Sequence, residues 1–232
     1  MFSILLSILF ILFLAAGVPI LSLETARDSE VKRMPRLALY FSAAVSQWVL
    51  AGLGLLVFSF SSLSVSSVGF RTIKPAVALA WAGALAAASM ASFFLGHFLE
   101  RRGWWPPEAG LVRRMIPETR EETLWSVLLL VPTAALCEEF LYRGYLLSQL
   151  TVWFHSGAWA WVASSAAFGL AHSYQGWRGM TRAFLLGALL GYPVICTGSL
   201  YPSMLAHAAI DALMFAWLGP KFLPLESASE PA

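Results

Sequence analysis

The fold class is decided by long apolar stretches, of which the first, residues 2–23, reads FSILLSILFILFLAAGVPILSL. Residues 37–60 and 76–99 form two more stretches without a charged residue. Each is longer than the roughly 20 residues that an α-helix needs to cross about 30 Å of hydrocarbon. Hydrophobic residues make up 59% of the chain and charged residues 12%, about half the charged share of a soluble domain. The sequence therefore predicts membrane-spanning helices and excludes a water-soluble fold.

The second half of the chain contains four further apolar segments, although polar residues interrupt them. They lie near residues 125–150, 157–172, 182–197 and 199–218. Together with the first three, they predict an all-α, polytopic transmembrane bundle of about seven spans, in one domain covering residues 1–232. The first segment is interpreted as a retained helix, because its apolar run exceeds the roughly 7 to 15 residues of a signal peptide and no basic residue precedes it. The serine-rich residues 59–67 are interpreted as a short outer loop.

Basic residues are distributed unequally between the two sides that this layout defines. Twelve follow spans one, three, five and seven, whereas only Arg71 and Lys74 lie on the opposite side. Because cytoplasmic loops carry the excess of lysine and arginine, we expect the amino terminus outside and the carboxyl terminus in the cytoplasm. The net charge of +2 reflects this bias, and no clustered basic and aromatic surface indicates a nucleic-acid partner. We expect an integral protein of the lipid bilayer, in the cell membrane of a bacterium.

Charged residues inside the fourth predicted span indicate where chemistry takes place. A charge at the bilayer centre costs about 2.5 to 3.5 kcal/mol, against a gain of about 0.3 to 0.6 kcal/mol for each large apolar residue. Glu138, Glu139 and Arg143 must therefore face the bundle interior or one another. Glu139 and Arg143 are four residues apart and can form an ion pair on one helix face. Glu138 points about 100° away and stays free to take a proton.

Two later spans supply the complement of these carboxylates. His172 ends the fifth predicted span, and the seventh contains His207 and Asp211, four residues apart on one face. Counted from the outer side, Glu138 and His172 are each about 20 Å deep, and the seventh span brings its pair to about 12 to 18 Å. We therefore predict that three helices bring two glutamates, two histidines and an aspartate together inside the membrane.

Three motifs on these successive helices resemble those of the CAAX protease and bacteriocin-processing family, which includes the type II CAAX prenyl endopeptidases. In this sequence, across residues 125–218, they are Glu138-Glu139-x-x-x-Arg143, Phe168-x-x-x-His172 and His207-x-x-x-Asp211. The resemblance implies a glutamate-dependent intramembrane endopeptidase without a metal cofactor. Its substrate would be a membrane-associated protein or peptide.

The resemblance also implies roles for the residues of the three motifs. Glu138 and His172 would activate water. Glu139 and Arg143 would shape the site. His207, with its partner four residues later, would stabilise the oxyanion.

The last motif departs from the family pattern, because Asp211 stands where the family often has asparagine. An ionised carboxylate cannot donate a hydrogen bond, and it would repel a developing oxyanion. Asp211 is therefore either protonated or accepts a hydrogen bond from His207 and fixes its tautomer. We favour the second interpretation.

The same residues are compatible with two other classes of function. Two histidines and two glutamates are acceptable zinc ligands, so a zinc-dependent membrane metalloprotease is the nearest alternative, although the sequence has no His-Glu-x-x-His motif. A proton-coupled carrier or an immunity protein is another, because buried glutamate, histidine and aspartate side chains also relay protons. For a protease, prenylated carboxyl termini, leader peptides and membrane-anchoring sorting tails are all compatible substrates.

Overall fold

The structure, a computed structural model, describes residues 2–106 and 110–223. Within these ranges it is all-helical and contains no strand. The nine helices of the described ranges are α1 (Phe2–Arg27), α2 (Ser29–Arg33), α3 (Arg36–Ser59), α4 (Pro75–Arg101), α5 (Gly110–Met115), α6 (Arg120–Phe154), α7 (Gly157–Ala171), α8 (Gly176–Thr197) and α9 (201–222). The predicted all-α class is therefore confirmed.

Among the described residues, five segments are long and apolar enough to cross a membrane: α1, α3, α4, α6, and α8 together with the 3₁₀ turn before it. The other two predicted spans correspond to α7, which has 15 residues, and to α9. Helix α7 packs against α6 and α8, and α9 packs against α4, α6 and α8. These seven helices form the membrane bundle, in agreement with the predicted number of about seven spans.

Four wider, π-helical turns occur within the long helices, and three of them end two residues before a proline. The pairs of turn and proline are Phe13–Gly17 with Pro19, Ser126–Leu130 with Pro132, and Met214–Leu218 with Pro220. Proline has no N–H to donate and its ring crowds the carbonyl four residues earlier, which explains why the preceding turn widens. The fourth π segment, Glu139–Leu146, contains no proline and carries part of the predicted site.

The connecting segments at one end of the bundle contact one another, as the predicted layout requires. Arg36, the first residue of α3, lies 2.6 Å from a carboxylate oxygen of Glu118 and donates to the carbonyl of Arg114. The Tyr40 hydroxyl donates to the carbonyl of Met115 at 2.8 Å. The start of α3 and the α5–α6 connection therefore lie on the same side of the bundle.

At the other end, the segment between α3 and α4 reaches into the bundle. Val68 and Leu200 are fully buried, and the Leu200 N–H donates to the Gly69 carbonyl at 2.8 Å. A β-carbon on Gly144 would lie 3.0 Å from the Val68 carbonyl oxygen, so this close approach requires glycine on α6. Irregular backbone is tolerated at membrane depth where protein encloses it. Helix α9 consequently begins inside the bundle, and His207 follows about two turns later.

Candidate active site

A buried ion pair lies in the π segment of α6, all eight residues of which are buried. Arg143 Nη1 donates to Glu139 Oε1 at 3.1 Å, and the two side chains are 2% and 0% exposed. The Arg143 guanidinium also lies over the Phe168 ring, 3.9 Å from its centre, a favourable cation–π arrangement. Gly187 on α8 leaves room for it, since a β-carbon there would lie 3.3 Å from Arg143 Nη2. The spacing of four residues thus correctly predicted this pair.

His207 is the third member of the buried cluster. Its Nδ1 lies 2.7 Å from Glu139 Oε1, the oxygen that also accepts from Arg143. Because an ionised carboxylate only accepts, the proton on this side belongs to His207 Nδ1. Glu139 therefore fixes the orientation of the imidazole and directs Nε2 towards the remaining site residues.

Asp211 lies farther from the imidazole than Glu139 does, and its part in fixing the His207 tautomer stays a prediction. Its Oδ2 lies 3.5 Å from His207 Nε2, longer than a normal hydrogen bond, whereas the short contact to the imidazole comes from Glu139 on α6. Asp211 and His207 do share one face of α9, as their spacing predicts. The spacing of residues along one helix cannot reveal a hydrogen-bond partner that another helix supplies.

Glu138 lies at the edge of the buried cluster and is partly exposed. Its Oε1 accepts a hydrogen bond of 2.8 Å from Gln47 Nε2 on α3. Its Oε2 lies 4.0 Å from His172 Nε2 and 3.9 Å from His207 Nε2. Both separations are too long for a direct hydrogen bond, and the space between Glu138 Oε2 and either imidazole nitrogen is here called the gap.

His172 is the C-cap residue of α7, and the backbone of that helix holds its side chain. Its Nδ1 is 2.8 Å from the Phe168 carbonyl oxygen, which can only accept, so Nδ1 carries a proton. The other nitrogen, Nε2, then faces Glu138. The turn after His172 is tied to α1, because the Ser173 hydroxyl donates to the Pro19 carbonyl at 2.9 Å. The amino-terminal part of the chain therefore helps to hold this histidine.

All six predicted site residues come together in the structure, but Gln47 was not predicted. Its signal was present in the sequence, because it is an amide in the middle of an otherwise apolar span. A buried polar group needs a hydrogen-bond partner, and in a membrane it points to the protein interior. Within the described residues, no group of three or more His, Cys, Asp and Glu side chains has an arrangement that would hold a metal ion.

The fold and this geometry define a class: an integral membrane protein whose charged and ionisable side chains converge inside its helical bundle. Residues 120–213 match the family model described as type II CAAX prenyl endopeptidase Rce1-like. Over these residues the chain is thus similar to Rce1-like endopeptidases, which confirms the resemblance seen in the three motifs. The family is one of membrane proteases and supports a peptide hydrolase activity. No curated protein and no solved structure matches the chain.

The matched residues extend from the start of α6 to Leu213 on α9. They include every predicted site residue, whereas Gln47 and the helices α1 to α4 lie outside the match. The predicted site residues therefore all lie in the matched part of the chain, and the preceding helices add the amide of Gln47, which donates to Glu138.

Proposed function

We propose that the protein is an intramembrane endopeptidase that hydrolyses a peptide bond in a membrane-associated protein or peptide, with a water activated by Glu138 and His172. One observation carries the proposal: Glu138 Oε2 lies 4.0 Å from His172 Nε2 and 3.9 Å from His207 Nε2, too far for direct hydrogen bonds. Two polar atoms about 4 Å apart can both lie within about 2.8 Å of one water oxygen. The gap therefore suits a water molecule held for attack on a carbonyl carbon.

In this mechanism Glu138 is the general base. It takes one proton as the water oxygen bonds to the carbonyl carbon, and the same proton later passes to the nitrogen of the leaving amine. His172 Nδ1 carries its proton towards the Phe168 carbonyl, so Nε2 is free to accept a hydrogen bond from the water. His172 thereby shares the water proton with Glu138. A base that is partly exposed at the edge of the buried cluster can meet both water and substrate.

The buried cluster supports the oxyanion side of the same reaction. A His207 that carries both protons donates from Nδ1 to Glu139 and from Nε2 to the oxyanion. Three carboxylates within 4 Å of its ring nitrogens, Glu138, Glu139 and Asp211, compensate its positive charge. In this proposal Asp211 acts on the imidazolium and not on the oxyanion directly, and Arg143 keeps the charge of Glu139 balanced.

The experiment that tests the function compares wild type with Glu138→Gln in liposomes. The probes are internally quenched peptides: a farnesylated carboxyl-terminal peptide, its non-prenylated counterpart and a leader peptide with a hydrophobic helix. Wild type should cleave at least one peptide, the variant none, and a strong zinc chelator should not abolish cleavage. Cleavage lost on chelation and restored by zinc would favour the metalloprotease. No cleavage, together with proton flux into the liposomes, would favour the carrier.

The natural substrate can be sought in parallel. Comparison of the carboxyl and amino termini of cellular proteins, in cells with wild type and with Glu138→Gln, should reveal ends that depend on the active copy. A terminus found only with wild type identifies the cleaved bond and the class of substrate.

We also propose that α1 starts outside the cell membrane and that the α4–α6 connection is cytoplasmic, because of the distribution of basic residues. Trp104, 70% exposed, and Val65, 58% exposed, are suitable positions for single cysteines in a Cys196→Ser background. A membrane-impermeant maleimide applied to intact spheroplasts should label Val65→Cys and leave Trp104→Cys unlabelled until lysis. The reverse pattern would invert the proposed orientation.

A further inference from the structure

We propose that Gln47, on α3, is a positioning residue that selects which oxygen of Glu138 acts as the base; this rests on the proposed function. Gln47 Nε2 donates to Glu138 Oε1 at 2.8 Å. The other oxygen, Oε2, is the one near the imidazoles of His172 and His207. One oxygen is thus occupied by a donor, and the other faces the gap in which water would be held.

The direction of this hydrogen bond follows from the chemistry of the two groups. An ionised carboxylate only accepts, so the NH₂ group of the amide must face Glu138 and its carbonyl must face away. That carbonyl oxygen, Gln47 Oε1, is buried and has no hydrogen-bond partner in the described residues. The amide therefore buries an unpaired carbonyl in order to place its donor on Glu138, which indicates that the hydrogen bond to this carboxylate is the reason for glutamine here.

The position of Gln47 is fixed by contacts of the neighbouring residues on α3. Trp48 Nε1 donates to the Thr133 hydroxyl of α6 at 3.1 Å. About two turns after Gln47, Gly54 allows close packing against Leu141, since a β-carbon there would lie 2.7 Å from the leucine side chain. The two contacts hold α3 against α6 at residues that precede and follow Glu138, so the amide reaches Glu138 from a defined direction.

Loss of the donor would leave the Glu138 carboxylate without a hydrogen bond that fixes its rotation. The two oxygens could then exchange places or turn away from the gap, and the hydrogen-bonded water would lose its alignment. Alignment of a reacting group acts on the chemical step, and Gln47 makes no contact that assigns it a part in binding substrate. We therefore expect an effect on kcat and little effect on KM.

The test uses the full-length protein in liposomes and the peptide of the panel above that wild type cleaves fastest. Gln47→Met keeps the length of the side chain and removes the donor. We expect kcat to fall at least about tenfold while KM changes less than about threefold. The matched control is Trp48→Phe, which breaks the adjacent α3–α6 hydrogen bond without touching Glu138. Because the packing of Gly54 on Leu141 and the Gln47 hydrogen bond remain, its kcat should stay within about twofold of wild type.

A second variant separates positioning from general damage to the fold. In Gln47→Glu the new carboxyl group can donate to Glu138 only when the pair holds a proton, so its activity should recover as the pH falls, whereas Gln47→Met should show no such recovery. A folding defect would not produce this recovery.

Three results would overturn the inference: an unchanged kcat in Gln47→Met, an equal fall in kcat in Trp48→Phe, or Gln47→Glu without recovery at low pH. Failure of the proposed function is distinguishable from these, because it would appear as an active Glu138→Gln variant.

Discussion

The three amino-terminal spans and α6 differ in how much of their surface is buried inside the protein. In α1, α3 and α4, 22% of the most apolar window is buried inside the protein, whereas 56% of the corresponding window of α6 is buried. Large apolar side chains such as Leu79 on α4 remain exposed, as expected where the surroundings are lipid. Helix α6 is enclosed by its neighbours and carries the charged residues. The more enclosed helix is thus the one that can hold charge.

The two regions also differ in what holds their helices together. Lipid gives little hydrophobic drive for helix association, so close packing of small residues and interhelical hydrogen bonds become important. In the enclosed region the Ser164 hydroxyl donates to the Tyr142 carbonyl at 2.6 Å, and Ser203 donates to the Leu190 carbonyl at 2.6 Å. These contacts join α6 to α7 and α8 to α9. They hold the helices that carry the site in fixed relation.

The largest expected effect concerns the carboxylate at the edge of the enclosed region. Glu138→Gln keeps the shape of the side chain but cannot accept the proton, so peptide cleavage should fall at least about a hundredfold. Thermal unfolding should be unchanged or occur at higher temperature, since the substitution removes a charge from low dielectric. The control is Glu30→Gln on the exposed helix α2, which should affect neither property. Near-normal cleavage by purified Glu138→Gln would remove the basis for the glutamate mechanism.

The second prediction concerns the buried ion pair of Glu139 and Arg143. Arg143→Ala leaves Glu139 buried without its cation, and removing one partner of such a pair costs about 3 to 5 kcal/mol. Protein abundance and the unfolding temperature should therefore fall together with activity. Replacing both residues, as in Glu139→Leu with Arg143→Met, should restore much of the stability but not turnover. If Arg143→Ala folds like wild type and only turnover is lost, the arginine acts directly in catalysis.

The fold could be predicted from sequence because hydrocarbon thickness imposes a length on each apolar stretch. The boundaries were less accurate where polar residues extend a helix beyond the hydrocarbon. Helix α6 begins at Arg120, five residues before the predicted span, and Thr119 and Glu122 form a capping box at its start. The segment 59–67 was interpreted as a short outer loop, and in the structure Val68, directly after it, is fully buried. Hydropathy alone does not report the depth of irregular backbone.

The site residues could be predicted where a single apolar helix contains charged side chains, because burying a charge in the membrane costs free energy. Charges in an apolar span indicate buried function, and a spacing of four correctly paired Glu139 with Arg143. Contacts between helices were not encoded in spacing. The hydrogen bond of His207 to Glu139 and that of Gln47 to Glu138 depend on how α9 and α3 pack against α6.

A third prediction concerns two glycines, one between α7 and α8 and one on the lipid-facing helix α4. In Gly169→Ala, on α7, the new methyl would lie 2.9 Å from both the Met180 carbonyl oxygen and the Phe184 β-carbon, so α7 and α8 must separate. Such overpacking costs about 1 to 3 kcal/mol. Gly83 on α4 has no atom within 4 Å of the corresponding position, and Gly83→Ala should be neutral or slightly stabilising. Unfolding measured in detergent should separate the two variants, and equal melting would show that α7 and α8 pack more loosely than described.

The smallest expected effect concerns Asp211, whose carboxylate lies 3.5 Å from His207 Nε2. If this charge mainly compensates the imidazolium, Asp211→Asn loses that compensation but gains an amide that can donate to the oxyanion. Because these changes oppose each other, and Glu139 still fixes the imidazole, we expect turnover within about tenfold of wild type. Asp211→Leu provides neither group and should be slower than Asp211→Asn. Turnover of the asparagine variant as low as that of Asp211→Leu would show that the carboxylate itself is required.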